Sequence, residues 1–109
     1  MFARNVSLLL KPDTLKDFTT TFQKEIIPML RKQSGFQDEM AIAAADGRNV
    51  TAVSLWDSEA QSEIYATTTY LAVLEILQRF LESPPKVRAW SVVSFTVAET
   101  NHSSTTSRN

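Results

Sequence analysis

The 109 residues contain no cysteine, one histidine and only two glycines. Without cysteine there is no disulfide, no thiolate nucleophile and no sulfur-ligated metal, although redox compartment stays open on that ground alone. The one histidine, His102, stands among Asn, Ser and Thr with no carboxylate or second histidine at ligand spacing, and reads as a tail residue rather than a metal or haem ligand. With no metal-ligand cluster and no Gly-rich phosphate loop, no metal and no flavin cofactor is expected. No apolar run approaches the roughly 20 residues that span a bilayer as a helix, so no membrane partner is expected. Eleven Lys and Arg against twelve Asp and Glu leave a formal charge of −1 with no basic run, which argues against nucleic acid. The first residues read straight into a strand, without the order of basic, apolar and small residues that a signal peptide needs. A cytoplasmic protein is expected, and the N-x-S/T matches at Asn5, Asn49 and Asn101 then carry no weight.

What is present is an ordinary globular composition, 43% hydrophobic and 21% charged with four prolines. The length suits one domain able to bury a core without staples. That domain is expected over residues 1–98, and a polar tail rich in Ser, Thr and Asn over residues 99–109.

Residues 2–10 alternate, with Val6, Leu8 and Leu10 on one face and Asn5, Ser7 and Leu9 on the other, which predicts a first strand. Lys11-Pro12-Asp13 breaks it, and Thr14 with Asp17 looks like an N-cap followed by an acidic first turn. Leu15, Phe18, Phe22, Ile26 and Met29 recur at helical spacing, predicting a helix from about residue 14 to residue 33, ended by Gly35 and kinked at Pro28. Two strands follow, residues 36–45 and 50–56, around Asp46-Gly47-Arg48-Asn49, where Asp-Gly supplies the positive φ values of a tight turn. Ser58 and Gln61 have capping-box spacing and open a second helical region to about residue 82, interrupted at Thr67-Thr68-Thr69. Ser83-Pro84-Pro85 ends it, and residues 86–98 read as a fourth strand.

The order β-α-β-β-α-β is the split βαβ motif, an α+β, ferredoxin-like antiparallel sheet with its helices on one face. Strands one and four carry large apolar residues on both faces, yet helices of one chain cover only one. A second copy covers the other most simply, so a homodimer is expected.

Pro28-Met29-Leu30 running into Ser34-Gly35-Phe36, and Ser54-Leu55-Trp56-Asp57-Ser58-Glu59-Ala60 after a strand, resemble the antibiotic-biosynthesis-monooxygenase family of dimeric α/β barrels. The resemblance spans roughly residues 1–98 and implies two sheets facing each other, with a pocket in each subunit between its own sheet and helices. Some members oxygenate phenols or quinols without metal or flavin, others degrade haem, and many have no assigned reaction. The resemblance thus implies a cofactor-independent monooxygenase of a small aromatic substrate. The alternatives are a non-enzymatic dimer binding a small aromatic or apolar ligand, or serving structure, and a haem-binding or haem-degrading relative.

Three residues are candidates for catalysis. Trp56 matches the family tryptophan that borders substrate in some oxygenases, or else packs in the core, where its N–H needs a partner. Asn5 matches the strand-one asparagine that haem-degrading relatives place in the pocket, or else is a solvated or backbone-bonded amide. Tyr65, nine residues after Trp56, stands where relatives often carry a pocket-facing aromatic or histidine; its hydroxyl would bond a phenolic oxygen, or the ring simply packs. The haem ligand of relatives would fall at about Glu75, and the asparagine and tyrosine of the other oxygenase pattern at Ala52 and Ser62, so these positions depart from the family. Arg4, Lys86 and Arg88 read as solvated charges or as cations at a pocket mouth. Ala41, Ala43 and Ala45 share one face of strand two, leaving space for a ligand or for another backbone.

Overall fold

The computed structural model describes residues 1–96. The expected tail with His102, and the last two residues of the expected fourth strand, lie outside the described residues.

The first strand, β1 (Phe2–Leu9), is followed by α1 (Leu15–Thr21) and α2 (Ile27–Arg31), with one π-helical turn (Phe22–Ile26) between them. Thr14 caps α1 without a side-chain bond to the helix; its hydroxyl instead donates to the Lys11 carbonyl at 2.7 Å. The disturbance expected at Pro28 takes the form of the π turn. Pro28 has no N–H to return to the carbonyl four residues back, and at the residue just before it the Ile27 N–H reaches the Phe22 carbonyl five residues back. The apolar stripe stays inward across the wide turn, with Phe18, Phe22, Ile26 and Leu30 all buried.

The hairpin of β2 (Phe36–Ala43) and β3 (Asn49–Trp56) turns at Gly47, whose φ of 70° suits a residue without Cβ. Asp46 pins the turn, its carboxylate accepting the Arg48 and Asn49 backbone N–H groups at 2.8 and 3.0 Å. Next come α3 (Glu59–Thr68), α4 (Tyr70–Leu77) and a 3-10 turn (Gln78–Phe80). Ser58 caps α3, accepting the Gln61 N–H as the spacing predicts. At the threonines the chain breaks at Thr69, while the Thr67 and Thr68 hydroxyls bond back to carbonyls of the preceding turn.

The sheet order is β2-β3-β1-β4, every neighbouring pair antiparallel. This is the α+β, ferredoxin-like arrangement, with the core between sheet and helices. β4 (Lys86–Ser91) is shorter than the run of residues 86–98 read from alternation. Ser91 pairs with Phe2, and the Val92 N–H on the Met1 carbonyl at 3.0 Å is the last rung β1 offers, so Val93 and Phe95 have no strand to pair with and are exposed.

Candidate functional site

On β1 the inward residues are Phe2, Arg4, Val6 and Leu8, and register sets them opposite Trp56, Ser54, Ala52 and Val50 of β3. A bulge between Phe36 and Asp38 resets β2, so that Glu39 comes opposite Ser54, and Ala41 opposite Ala52. Arg4, Ser54 and Glu39 therefore form one cross-strand row on the face under the helices. Arg4 and Glu39 are separated by two strand spacings, about 10 Å of backbone.

The row is polar, with Arg4 and Ser54 buried and Glu39 partly so. Arg4 is only 8% exposed. Its guanidinium carbon lies over the Tyr70 ring at 4.4 Å and the Tyr65 ring at 5.7 Å, near enough for cation–π attraction. The Arg4 Nε and the Glu39 Oε2 are enclosed without any hydrogen-bond partner among the described residues. No ion pair joins the two; Arg48 with Glu82, at 3.1 Å, is the ion pair among the described residues. Burial without a compensating cation pushes the Glu39 carboxyl up to about 8. Burial also raises the Tyr65 and Tyr70 hydroxyls, against the pull of Arg4, so both stay protonated near neutrality.

Two spaces meet at Glu39. A small cavity of about 30 Å³, roughly the share of one water in the liquid, lies among Arg4, Glu39, Ser54, Tyr65 and Tyr70. A cleft of about 790 Å³ opens between the first helical region and β2, within the usual range for small-molecule sites. Its floor is Glu39, Ala41 and Ala43 with Val50; its roof includes Phe18, Phe22 and Ile27. The short alanine side chains leave room for a ligand here, while Ala45 falls past the end of β2, in the turn. Phe22, first residue of the π turn, and Glu39 line both spaces.

The structure brings together two of the three candidate residues. Trp56 and Tyr65 stack with ring centroids 4.9 Å apart, and Phe36 meets Trp56 edge-on at 5.6 Å. Trp56 is fully buried and donates its indole N–H to the Ser54 hydroxyl at 2.9 Å, so the partner it needs is supplied from within the row. Asn5 does not join them. It follows Arg4 by one residue on a strand, which turns it to the opposite face of the sheet, between Val53 of β3 and Arg88 of β4. Lys86 and Arg88 are exposed on that face, whereas Arg4, grouped with them as a solvated charge, is buried in the row. Glu39 was not singled out from sequence. The signal for Arg4 was there: continuing the buried alternation back from Leu8 and Val6 arrives at residue 4.

A four-stranded antiparallel sheet with two helical regions on one face, enclosing a polar row beside a cleft, defines a ferredoxin-like domain with a small-molecule-sized site. Among solved structures this fold is that of the antibiotic biosynthesis monooxygenases, as the residue resemblance implies. The chain is similar to the monooxygenase ActVA-Orf6 of Streptomyces coelicolor, solved in complex with nanaomycin D, at 20% identity over 90% of this chain and 92% of that one, TM-score 0.74. It is similar to SnoaB, a cofactor-independent oxygenase of Streptomyces nogalater, at 11% identity over 86% and 94%, TM-score 0.71. Rv0793 of Mycobacterium tuberculosis is 16% identical over 88% and 98%, TM-score 0.69. No protein-family model and no curated protein matches the chain.

Proposed function

We propose that this protein is a cofactor-independent monooxygenase of a small phenol or quinol, working in the cytoplasm as a homodimer, with its substrate in the cleft between the first helical region and β2. The observation that carries the reading is the cleft itself, where Phe18, Phe22 and Ile27 stand among polar side chains and the floor holds one carboxyl, Glu39, with an enclosed and unpartnered oxygen. Such a site holds an aromatic ring and orients one hydroxyl. The fold it shares with a monooxygenase solved with nanaomycin D and with a cofactor-independent oxygenase supports the same class of reaction.

No outside reductant is needed. A phenol and dioxygen give a para-quinone and water: one oxygen atom bonds to the ring carbon, the O–O bond breaks, and the other atom leaves as water with the phenolic and ring hydrogens. The ring loses four electrons and dioxygen gains them. The protein then has to bind the substrate, help it ionise and exclude bulk water. Trp56 and Tyr65 stand behind the polar row and hold it as positioning residues.

A second copy, in this reading, covers the outer face of the sheet, where Met40, Ile42 and Trp90 are each about half exposed beside Val53 and Leu55. A sheet-to-sheet interface of obligate type buries about 2,000 Å² or more in total.

A ligand-binding dimer without activity is the second reading. It is favoured by one specific point: neither Trp56 nor Tyr65 lines the cleft, and the Trp56 N–H is already bonded to Ser54. Oxygen uptake by metal-free protein across a panel of quinols and polyphenols separates the two. Uptake above background, reduced in Tyr65→Phe and Trp56→Phe, is expected; none across the panel transfers the conclusion to the binding reading.

A further inference from the structure

Glu39 is an unusual residue to find where it is. A carboxyl in mid-strand, turned under the helices and lacking any partner for one oxygen, is costly unless something outside the fold uses it. It also lies where the cleft and the inner cavity adjoin, so the residue faces a ligand-sized space on one side and, on the other, a mainly apolar cavity that Arg4, Ser54, Tyr65 and Tyr70 also line.

We propose that Glu39 is the catalytic base, taking the proton of a phenolic hydroxyl bound in the cleft, and that Arg4 is a positioning residue whose fixed charge behind it favours the anionic state of the pair. The proposal rests on the oxygenase reading for its substrate class, but its first step is a proton transfer only. The phenolic O–H bond breaks, the proton bonds to a Glu39 carboxylate oxygen, and the electron pair stays on the phenolate. Charge is conserved, and one negative charge moves from carboxylate to phenolate. When dioxygen has been reduced and the O–O bond breaks, the same proton leaves with the departing oxygen as part of the water formed, which restores the carboxylate.

The surroundings are suited to this cycle. Arg4 faces the inner cavity from β1, Ser54 from β3, Tyr65 from α3 and Tyr70 from α4; Asp38 of β2 and Arg31 of α2 line the outer cleft. α1 and the π turn present Thr19, Gln23 and apolar or aromatic side chains there, none of them titratable. Among the described residues no cation pairs directly with the carboxylate, so its basicity is not suppressed there by an ion pair, and a base that titrates near the working pH is the most effective kind. The π turn that starts at Phe22 lies over this junction, a feature often found at functional sites.

The test has two arms, one independent of oxygen. In the first, nitrophenol, which is not consumed, is bound at about pH 9, where both it and Glu39 are ionised. Two anions cannot share the site, so binding takes up close to one proton per complex, measured by calorimetry in buffers of different ionisation heat; Glu39→Gln takes up none. Equal uptake in both proteins, or no binding by the wild type, overturns the proposal. In the second arm, oxygen uptake on a quinol rises with pH through about 8 and levels off, and Glu39→Gln loses a hundredfold or more together with that rise. Arg4→Lys, which keeps the charge, retains more activity than Arg4→Met. Unchanged rate and profile in Glu39→Gln overturn the role of Glu39 and leave the oxygenase standing. Proton uptake without oxygen consumption leaves Glu39 as the ligand's proton acceptor and removes the oxygenase.

Discussion

Each face of this sheet carries residues at odds with its surroundings. Under the helices, where apolar packing is the rule, sit a buried guanidinium and a carboxyl that touch no partner of opposite charge. On the other face, open in the single chain, Ile42 and Met40 are more than half exposed and Trp90 half exposed. Each anomaly points beyond the single chain. A buried unpaired ion costs free energy that a ligand can offset, and an exposed apolar face costs free energy that a second protein surface can offset. The inner face therefore looks for something small and polar-ended, the outer face for something large and apolar.

If the outer face is the meeting surface of two copies, an aspartate at Ile42 should produce the largest change. Symmetry repeats it, and burying two unpaired carboxylates costs on the order of 5 kcal/mol or more. Light scattering should then show Ile42→Asp as a monomer at micromolar concentrations where the wild type is a dimer. A folded wild-type monomer under the same conditions ends the comparison at its outer half. On the inner face, Trp56→Ala removes a fully buried ring that stacks on Tyr65 and Phe36 and releases the Ser54 hydroxyl from its bond. A loss of about 3–5 kcal/mol in denaturant unfolding is expected.

The two carboxyls that move in opposite directions sharpen the contrast further. Glu39 is raised from 4.5 to about 8 by burial, so the stability it allows is complete below the unfolded value and is lost as pH rises through the folded one. Wild type should lose about 4 kcal/mol relative to Glu39→Gln between pH 5 and pH 9. If the two proteins have parallel unfolding curves over that window, the carboxyl is not buried as described. Asp46, at the exposed hairpin, is held down to about 2, first by the Asn49 and Arg48 backbone N–H groups. Its contribution is present above the ordinary carboxylate range and lost as pH falls through about 2. Asp46→Ala should give the smallest effect, a slightly less stable hairpin at neutral pH that shows no further loss in acid, read by thermal unfolding at both ends.

Most of the fold was legible because local patterns and global packing agree. Period-two alternation in β1, the Asp46-Gly47 turn, the helical stripe through Phe18, Phe22 and Ile26 and the Ser58 cap are short-range signals, and the structure keeps all of them. The polar row was not legible, since it depends on which strands become neighbours and in what register. Arg4 follows the buried alternation in its own strand, but nothing local tells that Ser54 and Glu39 will stand beside it. Glu39 reaches that row only through the bulge after Phe36, a backbone irregularity set by pairing with β3. The end of β4 was likewise decided by how far β1 could pair with it, and residues beyond Ser91 kept their alternation without a partner. By itself the sequence determined the elements, the hairpin turn and the one-sided helical layer, because those follow from side-chain periodicity and backbone freedom within a few residues. Only the tertiary structure decided that Glu39 stands in one row with Arg4 and Ser54, because which residues face each other across a sheet is set by register between strands that are distant in the chain.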